Sequence, residues 1–102
     1  MNQTSKNATI QSDLRFQISK LEQLQADARI RINCLKSEIA KSLKRMQNVV
    51  ESDKSFATYI AQQSGAITLH ANDIDSQLRL IQTLDSEIGA IELIIARDAV
   101  RS

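Results

Sequence analysis

The chain has 102 residues, no proline, two glycines and three aromatic side chains. This composition is poorly suited to sheet and sandwich folds, which need turn residues roughly every eight to twelve positions. The single cysteine excludes a scaffold held by intramolecular disulfides. The net charge of +1 hides an asymmetry, because residues 1–54 carry ten Lys/Arg against six Asp/Glu and residues 55–102 carry three against six. A basic first half and an acidic second half can attract each other.

The first eleven residues, MNQTSKNATIQ, are mostly polar and contain no apolar run of the kind that a signal peptide needs. We therefore predict a disordered polar leader over residues 1–11, which serves as a flexible tether or as an export signal without a hydrophobic core. Ser12 or Asp13 is expected to cap the first helix. Residues 12–102 are predicted to form a single helical domain.

A heptad repeat runs through the rest of the chain. With Ile18 at position a, nine of the twelve a positions up to Ile95 are isoleucine, and leucines recur at d positions such as Leu21, Leu35 and Leu84. A repeat sustained this long is typical of helices packed along a seam with left-handed supercoiling. The sequence therefore predicts an all-α fold of long amphipathic helices that form a coiled coil.

The seam is interrupted by polar residues in the middle of the chain, at Asp53, Gln63, His70 and Gln77. Because Ser64 and Gly65 lie among them, we predict that the chain turns near residues 60–66. Helices of about 8–52 and 66–100 would then form an antiparallel hairpin. Two alternatives stay open. One is a continuous coiled-coil rod, since a glycine costs a helix only about 1 kcal/mol; the other is three helices with breaks near 51–55 and at 70–75.

The two halves of such a hairpin match best when facing positions have numbers that sum to 123. In this register Gln25 faces Asp98, and opposite charges face each other on one flank. The predicted register-setting charges are Arg29 opposite Glu92 and Lys36 opposite Asp85. Exposed pairs of this kind select the register more than they stabilise the fold.

A hairpin of two helices buries little apolar surface, and the second half carries Leu80 and Ile94 beside the seam. We therefore expect two hairpins to assemble into a four-helix bundle that also covers Leu24. The partner is another copy of the chain, as a homodimer or tetramer, or another helical protein. The predicted interface residues are Ile18, Leu21, Ile32, Leu35, Ile39, Val49, Ile74, Leu80, Ile81, Leu84, Ile88, Ile91, Ile94 and Ile95.

Catalytic chemistry is not expected from this sequence. His70 is the only histidine and Cys34 the only thiol, and the predicted register separates them by roughly 28 Å along the helices. No spacing of ligands predicts a metal site, and no glycine-rich loop predicts a nucleotide or another cofactor. The basic residues of the first half are interrupted by Asp27 and Glu38 and have no aromatic side chains among them, so nucleic-acid binding is a minor alternative.

The sequence thus predicts a non-enzymatic structural or adaptor protein that acts through coiled-coil oligomerisation and protein–protein interaction. One alternative is a small helical chaperone or secretion-apparatus component that shields a partner helix, and a second is a weak nucleic-acid-binding helical protein. No transmembrane segment is recognisable, because the most apolar run, residues 88–96, is too short to span a bilayer. We expect a cytoplasmic protein without membrane contact.

Overall fold

The computed structural model consists of two long helices, α1 over Asn2–Val50 and α2 over Phe56–Arg101. It describes the backbone of residues 2–50 and 56–101 and the side chains of residues 8–49 and 56–99. Hydrogen bonds from α1 to α2 show that the helices form a hairpin. The predicted all-α hairpin of two long helices is confirmed.

The helices are long because nothing in their sequences breaks them. Proline is absent from the chain, and three hydroxyl-bearing side chains of α2 donate hydrogen bonds to carbonyls one turn earlier in the same helix. Thr68 donates its hydroxyl hydrogen bond to the carbonyl of Ser64, and Ser76 donates to that of Asn72. The hydrogen-bonding capacity of these hydroxyl groups is therefore satisfied within α2 itself.

The predicted turn near residues 60–66 is wrong, because α2 runs through this stretch without interruption. Gly65 has no positive φ, and Ile60 and Ile67 on either side of it are half-buried. Burying the side chains of these isoleucines on the seam stabilises the helix by more than the roughly 1 kcal/mol that one helical glycine costs. The predicted second helix therefore begins earlier, at Phe56 instead of about residue 66.

The chain reverses between the end of α1 at Val50 and the start of α2 at Phe56. This is where the three-helix alternative placed one of its breaks, near residues 51–55. Its other break, at 70–75, is absent because α2 is continuous there. The polar seam residue Asp53 lies outside the described residues.

The predicted disordered leader is also wrong for residues 2–11, since α1 begins at Asn2. This segment contains neither glycine nor proline. Once the helix exists at Ser12, each further residue adds a hydrogen bond at little cost. The half-buried side chains of Gln11 and Leu14 continue the seam in this direction.

Contacts divide the hairpin into two compact units. The terminal unit combines residues 1–27 with residues 80–102, and Leu84 and Ile88 are the buried apolar side chains among its described residues. The middle unit comprises residues 28–79, and within its described part the buried apolar side chains are Ala28, Ile32 and Leu35. Each unit therefore has a small core of its own.

Burial follows the heptad pattern. Every described a and d position from Leu14 to Asp98 is buried or half-buried, except the exposed Phe56. Most other described positions are exposed to solvent. The sequence repeat therefore predicted correctly which side of each helix faces inward.

Replacing Gly65 with alanine tests the continuity of α2. A Cβ atom at this position meets nothing within 4 Å, so we expect Gly65→Ala to raise the free energy of unfolding by about 0.5–1 kcal/mol. The control is Gly89→Ala, at another open helical position. Urea unfolding followed by circular dichroism should show the same gain for both variants, whereas a loss with Gly65→Ala alone would indicate a turn.

Candidate interaction surface

A buried polar side chain connects the two helices of the terminal unit. Gln25 is only 5% exposed although it occupies an a position. Its Nε2 donates hydrogen bonds to the backbone carbonyl of Ile81 at 3.2 Å and to Oδ1 of Asp85 at 2.5 Å. Both donor hydrogens of the amide are therefore satisfied on α2.

These contacts show that the predicted register is wrong. Gln25 was expected to face Asp98, but its partners Ile81 and Asp85 lie 17 and 13 residues earlier in α2. The difference is about two heptads. Such a shift leaves the same positions facing inward, since the pattern repeats every seven residues. The heptad pattern could therefore predict the buried side correctly while the register was wrong.

The predicted pairing of Lys36 with Asp85 fails for the same reason, since Asp85 bonds to Gln25, eleven residues before Lys36. Arg29, Lys36 and Glu92 are exposed. In the middle unit an ion pair instead joins Arg31 of α1 to Asp73 of α2 at 3.1 Å. The side chains of Arg31 and Asp73 are 57% and 36% exposed, so solvent screens the pair and it contributes about 0.2–1 kcal/mol. Arg31 and Asp73 both occupy g positions of the heptad and carry opposite charges. The sequence could therefore have predicted this ion pair, but only if the helices had been aligned in the observed register.

The predicted interface residues separate into two groups. Most of them lie on the seam and are buried or half-buried within the hairpin itself, from Ile18 on α1 to Ile95 on α2. Leu80 and Ile94 instead remain 42% and 44% exposed. The surface left for a partner is therefore narrower than the predicted set.

An open groove of about 490 Å³ lies on the terminal unit between α1 and α2. It is lined by Gln17, Lys20, Leu21 and Leu24 of α1 and by Glu87, Ala90 and Ile91 of α2. Leu21 and Ile91 are half-buried, whereas the other lining residues are exposed. The groove is therefore shallow and mostly apolar, with Lys20 on one helix and Glu87 on the other as its charged residues.

Further apolar side chains extend this groove along α2. Leu80 and Ile94 lie seven residues before and after Glu87, so all three project from the same side of the helix. We call the groove together with Leu80 and Ile94 the groove flank. The opposite flank of the terminal unit carries Arg15 and Glu22 on α1 and Asp85 and Glu92 on α2, all exposed. One flank is thus apolar and the other charged.

The lone thiol and the lone imidazole both lie in the middle unit. Their predicted separation of roughly 28 Å along the helices rested on the wrong register. Cys34 follows Arg31 by three residues and His70 precedes Asp73 by three, so the ion pair brings them to similar levels. Cys34 is exposed at a c position and His70 is half-buried on the seam. They therefore project in different directions.

Neither a metal site nor a membrane-spanning helix is present in the described part of the chain. No group of three His, Cys, Asp or Glu side chains there is arranged to hold a metal ion. Neither helix contains, within the described residues, a stretch long and apolar enough to cross a bilayer.

The chain matches no protein family model, and no curated protein or solved structure is significantly similar to it.

Proposed function

We propose that this chain is a non-enzymatic structural or adaptor protein that acts by self-association, with two hairpins packing into a four-helix bundle. The exposed apolar side chains of the groove flank carry this proposal. Leu24 is 49% exposed and lies directly in the groove, and Leu80 and Ile94 continue the same apolar surface. A contiguous apolar surface of this kind is typical of an interaction site.

The total exposed area supports the proposal. The chain exposes 7691 Å², whereas a folded monomer of its 11.4 kDa mass exposes about 5,800 Å². The excess is about 1,900 Å², and a stable interface needs about 800 Å² from each partner. A hairpin therefore has enough spare surface to form a dimer and still present other surfaces to further proteins.

The two alternative functions use other properties of the same helices. A chaperone or secretion-apparatus component would use the groove flank to shield a helix of another protein, and would be monomeric alone. Nucleic-acid binding would need free cations in clusters, but Arg31 pairs with Asp73 and Lys41 pairs with Glu38. Self-association accounts for the apolar flank without a second protein.

Light scattering on a size-exclusion peak tests the proposal over a wide range of concentrations. We expect a mass of twice 11.4 kDa, and a thermal midpoint that rises with concentration, because association stabilises the folded state by mass action. Leu24→Glu should weaken the dimer at least tenfold, which corresponds to about 1.4 kcal/mol.

The matched control is Ile30→Glu, an exposed isoleucine of α1 outside the groove, and this variant should dimerise like the unmodified protein. A monomer at every concentration would refute self-association and favour the shielding function. Equal weakening by both variants would show that the groove flank is not the contact surface.

A further inference from the structure

We infer that a second copy of this chain packs on the groove of the terminal unit. The two-fold axis of the resulting dimer runs parallel to the helices. The α1 helix of each protomer then packs against α2 of its partner. This inference rests on the proposed function and adds to it the docking site and the orientation. Its basis is the placement of charges beside the apolar groove.

Opposite charges stand on the two sides of the groove. Lys20 belongs to α1 and Glu87 to α2, both side chains are exposed, and both line the same cavity. The Nζ atom of Lys20 lies 4.8 Å from the centre of the Phe16 ring. This contact holds the ammonium group against its own helix, and the group retains N–H donors for another partner.

A two-fold axis can relate two such grooves in two ways. If the axis is parallel to the helices, α1 of one protomer faces α2 of the other at the same level, so Lys20 meets Glu87 of its partner twice. If the axis runs across the helices at the level of the groove, α1 faces α1 and Lys20 meets another Lys20. Like charges facing each other oppose association, so the charges favour the parallel axis.

A second pair of charges agrees with this choice. Asp13 lies seven residues before Lys20 on α1, and Arg97 lies seven residues after Ala90 on α2. Because the helices of the terminal unit are antiparallel, both steps lead towards the same end of the unit. Asp13 and Arg97 are exposed, and the parallel axis brings Asp13 of each protomer opposite Arg97 of the other.

The shape of the groove also fits a helix better than a small molecule. Small-molecule sites usually enclose 70–90% of the ligand surface, whereas most lining residues of this groove are exposed. In the proposed dimer, the partner's two helices face α1 and α2 across the groove and cover Leu24, Leu80 and Ile94. Apolar contact then supplies the affinity, and the charges at the rim select the orientation.

Charge reversal followed by mixing tests the inference. The Lys20→Glu variant has glutamate at positions 20 and 87 of each chain, and the Glu87→Lys variant has lysine at both of these positions. We expect each variant to weaken its own dimer at least tenfold in sedimentation equilibrium, because both contacts become repulsive. An equimolar mixture should form heterodimers with nearly the affinity of the unmodified protein, since each contact then joins opposite charges across the interface.

Mixing separates this interface from a contact inside one hairpin. Both variants lack opposite charges at these positions within a single chain, so restored affinity has to come from contacts between protomers. The control pair is Arg15→Glu and Glu22→Lys on the charged flank, which should leave the dimer unchanged.

Each outcome has a separate meaning. If the unmodified protein is monomeric, the proposed function itself fails. If it dimerises but the reversals have no effect, or if mixing does not restore association, the proposed orientation fails while self-association stands. If the control pair weakens the dimer as much as the test pair, net charge explains the effect and the docking site is wrong.

Discussion

Leu35→Ala should lower the free energy of unfolding by about 2–5 kcal/mol, the range found for large-to-small changes at buried positions. Leu35 is 2% exposed in the middle unit. Removing its side chain costs both the buried apolar area and the cavity left behind. Since small domains are stable by only about 5–15 kcal/mol in total, this loss is a large share.

The middle unit is poorly equipped to compensate for that loss. Three successive d positions of α2, Gln63, His70 and Gln77, are polar and half-buried there. The Oε1 atom of Gln63 is buried without a hydrogen-bond partner, which is an unfavourable arrangement for a polar atom. At its d positions, α2 therefore offers polar instead of apolar side chains to fill a cavity in this core.

Urea unfolding at a fixed protein concentration measures this effect, since association would otherwise change the apparent stability. Leu69→Ala is the control, because Leu69 belongs to the same unit and is 71% exposed. Its replacement should change the stability by less than about 0.5 kcal/mol. Equal losses for the two variants would contradict the described core.

Gln25→Leu should change the free energy of unfolding only slightly, by about −0.5 to +1 kcal/mol, because a buried leucine gains about 1.5–3 kcal/mol of transfer free energy while the two lost hydrogen bonds contribute about 1 kcal/mol each. Asp85 is exposed, so water replaces the lost donor. We also expect the helices of this variant to adopt more than one alignment, because a polar residue at an a position selects a single register at a cost in stability.

Two measurements check this prediction. Urea unfolding gives the stability, and a two-dimensional NMR spectrum of the backbone amides gives the number of alignments, with additional sets of signals expected for Gln25→Leu. Asp85→Ala is the comparison, since it keeps Gln25 buried but removes one acceptor, and it should lower the stability by about 1 kcal/mol. A Gln25→Leu variant with a single set of signals would show that other contacts select the register.

The interaction surface was predictable only in part. Leu24, Leu80 and Ile94 lie beside the heptad seam, and that spacing was enough to predict that they remain outside the hairpin core. The groove itself was not predictable, because it depends on which residues of α2 stand beside Leu21. Lys20 and Glu87 share a groove only in the observed register, so the sequence offered no reason to pair them.

The amino-acid sequence by itself determined that this chain is helical and which side of each helix is buried. Both properties depend on local propensity and on the seven-residue spacing of Ile and Leu, and neither depends on how the helices are aligned. Only the tertiary structure decided the alignment and the place of reversal. A repeat dominated by isoleucine packs almost equally well after a slip of seven residues, so specific contacts such as those of Gln25 with Ile81 and Asp85 are needed to distinguish one register from the next.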